Sequence, residues 1–476
     1  MRWFTHEDPK KPIYNLIYIF VGLTVLMVGY FAYFLVVRSD EVINNAYNKR
    51  QDILSQRVVR GSILSADGEV LAQTVTDGEG KETREYPFGK VFAHVVGRYS
   101  KGKTGIEEAE NIRLLTSNIN VFELTYSDLT GEKSPGDNVV TTLDAGLQKV
   151  AYDALGDYRG AVVVMEPSTG KILAMVSKPS YDPNKIDEIW EELTSDEEEE
   201  TDAPLLNRAT QGFYPPGSTF KVLTALEYVR ENPDYPDYHF NCEGKTVYDS
   251  MTIHCYNNKV HGEEDLNKSF AKSCNTSFAN IGRELDLKSF RELCESFLFN
   301  QRLPITMESI QSRFVLREGA GVNTVMQTAI GQGKTVVTPL HNAMITAAIA
   351  NQGEMMKPYV VDHIENVNGG IVKRYSPQTV AKPITQWEAG ILAKMMRSVV
   401  TDGTAEKLDS LSVKVAGKTG SADHKENEPA HAWFIGYAPY EEPQIVVSVI
   451  VESVGTGSDY AVPIAKKVFK AYFKDE

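Results

Sequence analysis

A mixed α/β chain behind one membrane-spanning helix is the fold class that the sequence predicts, and three patterns predict it. Ile13 to Val37 carries no charged residue, the apolar runs Ala161–Met165 and Ile172–Val176 flank a turn, and Val222, Leu223, Ala225, Leu226 and Val229 recur at helical spacing. With 476 residues and 42% apolar content, the chain can bury more than one core. As a helix the first stretch is about 37 Å long, enough to cross a hydrocarbon layer of about 30 Å with some tilt. Leu35-Val-Val-Arg-Ser39 offers no small-residue cleavage site, so a retained anchor is expected rather than a removed leader. Arg2, Lys10 and Lys11 before the span balance Arg38, Lys49 and Arg50 after it, and the positive-inside rule does not choose an orientation. Glu166-Pro-Ser-Thr-Gly-Lys171 then reads as the turn of a hairpin. Tyr214-Pro-Pro-Gly217 stops any preceding element, and Ser218 opens a helix. Leu411 to Val415, continued by Ala416-Gly417, alternates as a strand, with Gly420 letting another backbone lie close along its edge.

Serine followed three residues later by lysine occurs four times, at Ser100/Lys103, Ser168/Lys171, Ser218/Lys221 and Ser269/Lys272. Ser100 lies in a glycine-rich loop, Ser168 in the hairpin turn, and Ser269 abuts Ser273, too close to bring a catalytic group from a different element. Only Ser218 stands at a helix N-terminus, where unpaired backbone N–H groups and the dipole favour a developing alkoxide. A lysine at i+3 lies on the same face about 5–6 Å away. It can take the serine proton if burial or another cation lowers its pKa. In isolation the tetrapeptide reads first as a capping serine followed by a surface lysine, and the two motifs that follow change that reading.

Two further motifs follow in order, Ser273-Cys274-Asn275 and Lys418-Thr419-Gly420. The trio resembles the motif set of serine β-lactamases and penicillin-binding proteins. More of the chain resembles class B penicillin-binding proteins: Arg60-Gly-Ser-Ile63 through Leu71-Ala72, Gly160 through Met175, Pro183-Asn184 and Asn207-Arg208. Gly331-Gln-Gly333, Thr338-Pro-Leu340, Ala350-Asn351 and His431 through Pro439 continue the match. The departure is Cys274, at a motif position that varies in the family.

The resemblance implies a peptidoglycan D,D-transpeptidase acting through a Ser218 acyl-enzyme. Ser218, Lys221, Ser273 and Lys418 are then catalytic, Asn275, Thr419, Gly420 and Ser421 hold substrate, and the backbone N–H groups of Ser218 and Ser421 form the oxyanion hole. It implies an antiparallel sheet flanked by helices, with no cofactor and no catalytic metal. The expected organisation is a cytoplasmic tail over residues 1–12, an anchor over 13–37, an N-terminal pedestal over 38–145 and a transpeptidase domain over 146–476. No glycosyltransferase domain is expected upstream. The implied setting is cell-wall synthesis in cell shape or division, with the catalytic domain outside the membrane. Stem peptides and β-lactams are the implied ligands, and a SEDS-family glycosyltransferase the implied membrane partner. A membrane-anchored β-lactamase, a D,D-carboxypeptidase and a non-catalytic wall scaffold are the alternatives.

The net charge of −15 argues against nucleic-acid binding, and the acidic run from Ser195 to Asp202 reads as a solvated loop. Gly97-Arg-Tyr-Ser-Lys-Gly-Lys103-Thr104 satisfies a phosphate-loop pattern, but a nucleotide site would leave the serine and lysine motifs unexplained. Four cysteines, Cys242, Cys255, Cys274 and Cys294, are too few for a disulfide framework in so long a chain. Cys242 and Cys255 bracket a segment that reads as a hairpin or loop. A local disulfide between them, free thiols, or a metal cluster with His261 and Cys274 at spacings that match no standard finger all stay open.

Overall fold

The computed structural model describes residues 11–35, 50–195, 202–248, 251–425 and 427–474. Lys11–Tyr33 forms one helix, α1, whose 21-residue, uncharged and mostly apolar stretch Ile13–Tyr33 the rest of the chain leaves uncovered. It fits a single-pass membrane anchor in length and composition. Val37 and most of the acidic run lie outside the described residues.

The mixed fold class is borne out. Its centre is a five-stranded antiparallel sheet built from β1 (Gly160–Met165), β2 (Ile172–Lys178), β3 (Ala416–Ala422), β4 (His431–Ala438) and β5 (Ile445–Val451). The spatial order is β3-β4-β5-β1-β2, so β3 is an edge strand. Every residue of β1, β4 and β5 is buried. Because alternate side chains point to opposite faces, both faces of the sheet must be covered. The coverage comes from α2 (Ala145–Leu155) and α8 (Val462–Phe473), which pack on each other and on the sheet, and from α6 (Pro339–Ala350), buried along its whole length against β1, β4 and β5. The other helices used below are α3 (Lys221–Glu231), α4 (Leu266–Ala271), α5 (Asn275–Glu284) and α7 (Gln386–Thr401).

The hairpin read from Ala161–Met165 and Ile172–Val176 is β1 and β2. The strand read at Leu411–Val415 is not formed; pairing begins at Ala416 opposite Tyr437 and runs through the Lys418 motif to Ala422. The small residues that weaken strand propensity there are demanded by packing. A Cβ on Gly417 would stand 2.6 Å from the Phe434 ring, and one on Gly436 2.5 Å from it. Tertiary fit overrides local preference at this edge.

A second sheet of six strands takes Ile63–Leu64, Val70–Thr76, Glu82–Glu85 and Asn138–Thr141 from the N-terminal part and Val361–Glu365 and Ile371–Arg374 from beyond it. Arg60 and Arg84 clamp the fully buried Glu107 from both sides, each through a 2.7 Å hydrogen bond. The two guanidiniums outweigh the cost of burial and keep the Glu107 carboxyl below its ordinary pKa. The phosphate-loop pattern does not form a phosphate loop. A helical turn, Ala93–Val96, precedes Gly97 where a strand is required, and the helix that follows has five residues.

Candidate active site

Gly217–Phe220 is a single tight turn that runs directly into α3, so Ser218 and Lys221 stand at the helix start as the spacing predicts. Several anchors fix this turn. The Trp433 indole donates to the Pro215 carbonyl at 3.0 Å, the Thr219 hydroxyl to the Pro216 carbonyl at 2.7 Å, and the Gly217 N–H to the Gly331 carbonyl at 2.9 Å. Phe220 stacks among Phe290, Phe299 and Phe314. Gly217 holds φ at +52°, and its missing side chain lets the turn lie against the Ser421 carbonyl of β3, 2.7 Å from where a Cβ would be. The backbones of Ser218 and Ser421 are thereby neighbours.

Ser273 sits between α4 and α5 with φ at +58°, a left-handed turn that aims its hydroxyl at two lysines. Lys418 Nζ donates to Ser273 Oγ at 2.9 Å and to the Thr419 carbonyl at 3.1 Å. Lys221 Nζ donates to the Ser273 carbonyl at 2.8 Å and to Asn275 Oδ1 at 2.7 Å, with Ser273 Oγ farther at 3.4 Å. Both lysines are fully buried. Burial lowers the Lys221 pKa to about 8, against an opposing pull from Cys274, Cys255 and Glu264. Burial, and then the Lys221 charge, push Lys418 well below the ordinary lysine value. A neutral amine has two N–H donors and one lone pair. The two short bonds of Lys221 use both donors and leave the lone pair for a proton.

Asn275 makes two hydrogen bonds within the site. Its Oδ1 accepts from Lys221, and its Nδ2 donates to the His254 carbonyl at 2.9 Å. One amide hydrogen remains for a ligand. Thr419 shares a 2.5 Å hydrogen bond with Thr404, a residue that the motifs missed; its only sequence signal is the Asp402-Gly403 turn that ends α7. Gly420 lies where a Cβ would meet Trp433 at 3.0 Å and Pro216 at 3.2 Å, and Ser421 is half-buried beside Gln332, whose amide reaches the Ser421 carbonyl at 3.5 Å. The structure thus joins Lys221, Ser273, Asn275 and Lys418 by hydrogen bonds and sets Ser218, Gly420 and Ser421 beside them.

Behind this array lie Cys242, Cys255, His261 and Cys274, with one donor atom from each within 4.8 Å of all the others. Cys242 and Cys255 are separate thiols 3.7 Å apart, not a disulfide.

Residues 160–471 match the family model of the penicillin binding protein transpeptidase domain. The chain belongs to the penicillin-binding protein family. Residues 60–139 of this penicillin-binding protein match a second family model, the penicillin binding protein A dimerisation domain. It is 34% identical to the peptidoglycan D,D-transpeptidase PbpA of Mycolicibacterium smegmatis, over 90% of this chain and 93% of that one. It is 32% identical to the peptidoglycan D,D-transpeptidase MrdA of Haemophilus influenzae, over 80% of this chain and 64% of the relative. Among solved structures, the ceftriaxone acyl-enzyme complex of penicillin-binding protein A from M. tuberculosis superposes with a TM-score of 0.80 at 30% identity, covering 88% of this chain and 99% of that one.

Proposed function

We propose that this penicillin-binding protein is a peptidoglycan D,D-transpeptidase that cross-links stem peptides through an acyl-enzyme on Ser218. The observation that carries the reading is the meeting of two buried lysines, one of them three residues after Ser218, at the single hydroxyl of Ser273. The similarity to PbpA and to a β-lactam acyl-enzyme supports it.

In the first step the Ser218 hydroxyl gives its proton to the neutral Lys221 amine, and its oxygen forms an ester with the carbonyl carbon of the penultimate D-Ala. The backbone N–H groups of Ser218 and Ser421 hold the oxyanion, each such donor being worth roughly 3–4 kcal/mol. The C–N bond breaks, and terminal D-Ala leaves with the proton returned through Ser273, whose hydroxyl bridges the lysines. Because β3 is an edge strand, the peptide adds beside it through main-chain hydrogen bonds, close along Gly420. Asn275 takes a substrate amide, and Lys418, Thr419 and Ser421 take the C-terminal carboxylate. In the second step the amine of a neighbouring stem peptide attacks the ester, its proton leaves by the same relay, and Ser218 is released. A β-lactam acylates the same oxygen and stalls, because its opened ring stays attached.

Intact mass after incubation with benzylpenicillin tests the reading. One persistent adduct is expected on the wild-type chain and none on Ser218→Ala. Rapid loss of the drug without an adduct would replace the transpeptidase with a β-lactamase, and an adduct on Ser218→Ala would remove Ser218 from the role.

The anchor, the pedestal and the family resemblance support a catalytic domain on the outer side of the membrane, docked through α1 and residues 60–139 on a polytopic SEDS-family glycosyltransferase. Cross-linking intact protoplasts with a membrane-impermeant amine reagent tests both points. Labelled pedestal joined to a polytopic partner is the expected product. Unlabelled pedestal contradicts the orientation, and capture that survives exchange of both segments contradicts the docking.

A further inference from the structure

Gly97 to Thr104, the segment with the phosphate-loop pattern, folds back on itself instead of cradling a phosphate. A Cβ on Gly97 would stand 1.8 Å from the Thr104 carbonyl oxygen, and the Thr104 N–H donates to the Arg98 carbonyl at 3.3 Å. The closed loop forms one wall of a cavity of about 360 Å³ at the seam between the N-terminal part and the transpeptidase fold. The facing wall comes from the segment around Asn207 and Gln211 and from Met307 and Glu308. None of the serines and lysines that meet at the acyl-transfer centre lines it. Its volume is that of an ordinary small-ligand pocket.

Arg98, on the cavity wall, lacks an anion. It is only 8% exposed, its Nε has no hydrogen-bond partner among the described residues, and its other nitrogens reach Thr104 Oγ1 at 3.5 Å and the Lys101 carbonyl at 3.3 Å. The rings of Tyr181 and Trp190 lie 5.8 and 5.3 Å from its guanidinium carbon. No carboxylate among the described residues pairs with it. A buried guanidinium without an anion is costly, and its planar fork matches a carboxylate. Two carboxylates stand instead at the exposed mouth, Glu108 and Glu308. Partial desolvation and then the Glu308 charge raise the Glu108 pKa, and like charges so placed favour a cation between them. The walls also offer partners for a peptide unit. His94 Nε2 lies 3.2 Å from the Pro179 carbonyl, and burial brings its pKa to about 4, so the neutral ring keeps its hydrogen on Nε2 and offers Nδ1 as an acceptor. Gln211 Oε1 accepts from the Asn207 N–H at 3.2 Å, which leaves its Nε2 as a donor. A phosphate would meet the two carboxylates, and a metal ion would meet Arg98; a ligand with one charge of each sign meets neither conflict.

We infer that this seam cavity binds a short zwitterionic peptide, its carboxylate on Arg98, its ammonium at Glu108 and Glu308, and an internal amide between His94 and Gln211. Because both walls contribute, the bound peptide ties the N-terminal part to the transpeptidase fold. The acyl-transfer centre has the opposite preference, since the two lysines that meet there favour a ligand carboxylate and disfavour a ligand ammonium.

Isothermal titration of the full chain in detergent, near neutral pH and at low salt, tests the inference with three probes. D-Ala-D-Ala carries both charges, N-acetyl-D-Ala-D-Ala lacks the ammonium, and D-Ala-D-alaninamide lacks the carboxylate. The zwitterion should bind the wild-type chain, and each blocked form should bind more weakly. Arg98→Met should weaken D-Ala-D-Ala binding about thirtyfold or more, as loss of a buried charge pair does, and Glu308→Gln about two- to fivefold, as loss of an exposed one does. Glu308 is exposed, so Glu308→Gln keeps the inference falsifiable should Arg98→Met fail to fold. None of these readouts needs acylation of Ser218. No binding of D-Ala-D-Ala to the wild-type chain overturns the inference. Binding that favours the acetylated form, or that both substitutions leave unchanged, overturns it as well, because the peptide then sits elsewhere, as at the acyl-transfer centre.

Discussion

Replacing Lys221 with methionine lowers the second-order rate of Ser218 acylation by benzylpenicillin about 10²–10⁴-fold, the range for loss of a positioned general base. Methionine keeps most of the volume of the buried stem and removes the amine that reaches the Ser273 carbonyl and Asn275. Those two acceptors are left bare, so a stability loss of about 1–3 kcal/mol accompanies the rate loss and is measured separately by thermal unfolding. The pH profile distinguishes a base from a strut. Burial brings Lys221 to about 8, and the base must be neutral to accept a proton. Wild-type acylation therefore rises with pH through about 8 and levels off above it. The limb is a property of the coupled pair, since Lys418 shares the Ser273 hydroxyl and feels the Lys221 charge. In Lys221→Met the residual rate loses this limb. Stopped-flow acylation from pH 6 to 10 decides the matter: a wild-type rate independent of pH, or a variant that keeps the limb, would take the base role away from Lys221.

What the sequence revealed and what it hid divide along a physical line. Ser218 and Lys221 were legible because one helix turn fixes their relation, and the β1–β2 hairpin because its turn residues bound two apolar runs. Ser273 and Lys418 were named by motif, but their meeting at one hydroxyl depends on the left-handed backbone of Ser273, which no spacing encodes. Asn275 was named by motif, but its bonds to Lys221 and to the His254 carbonyl depend on the tertiary fold. Thr404 was silent because its partner Thr419 stands on β3, and only the packing of that strand against α7 brings the two hydroxyls together. The four donors around Cys274 matched no finger spacing because they arrive on separate segments that only the two ladders bring together. The strand beginning at Ala416 was misread from alternation one segment upstream, where burial against Phe434 and not side-chain propensity sets the register.

Gly331→Ala lowers acylation about 10²-fold while leaving the fold intact, because it acts on the position of the nucleophile and not on its chemistry. Gly331 holds φ at +79°, and a Cβ there would stand 1.8 Å from the Gly217 carbonyl oxygen, the residue before Ser218. The clash is with backbone, so no side-chain rotation relieves it. The Gly217 N–H also donates to the Gly331 carbonyl, which ties the two segments and forces the nucleophile turn to move as a unit. A displacement of about 1 Å in a reacting group costs about 10²-fold in rate. The backbone conformation alone costs an alanine about 1–2 kcal/mol, and that part has its own control. Gly319 has φ at +77° with nothing within 4 Å of its absent Cβ, so Gly319→Ala pays the conformational cost without the clash. Both variants should melt slightly earlier than wild type, but only Gly331→Ala should acylate slowly. Equal acylation rates in the two variants would mean that the Gly217–Gly331 contact does not set the position of Ser218.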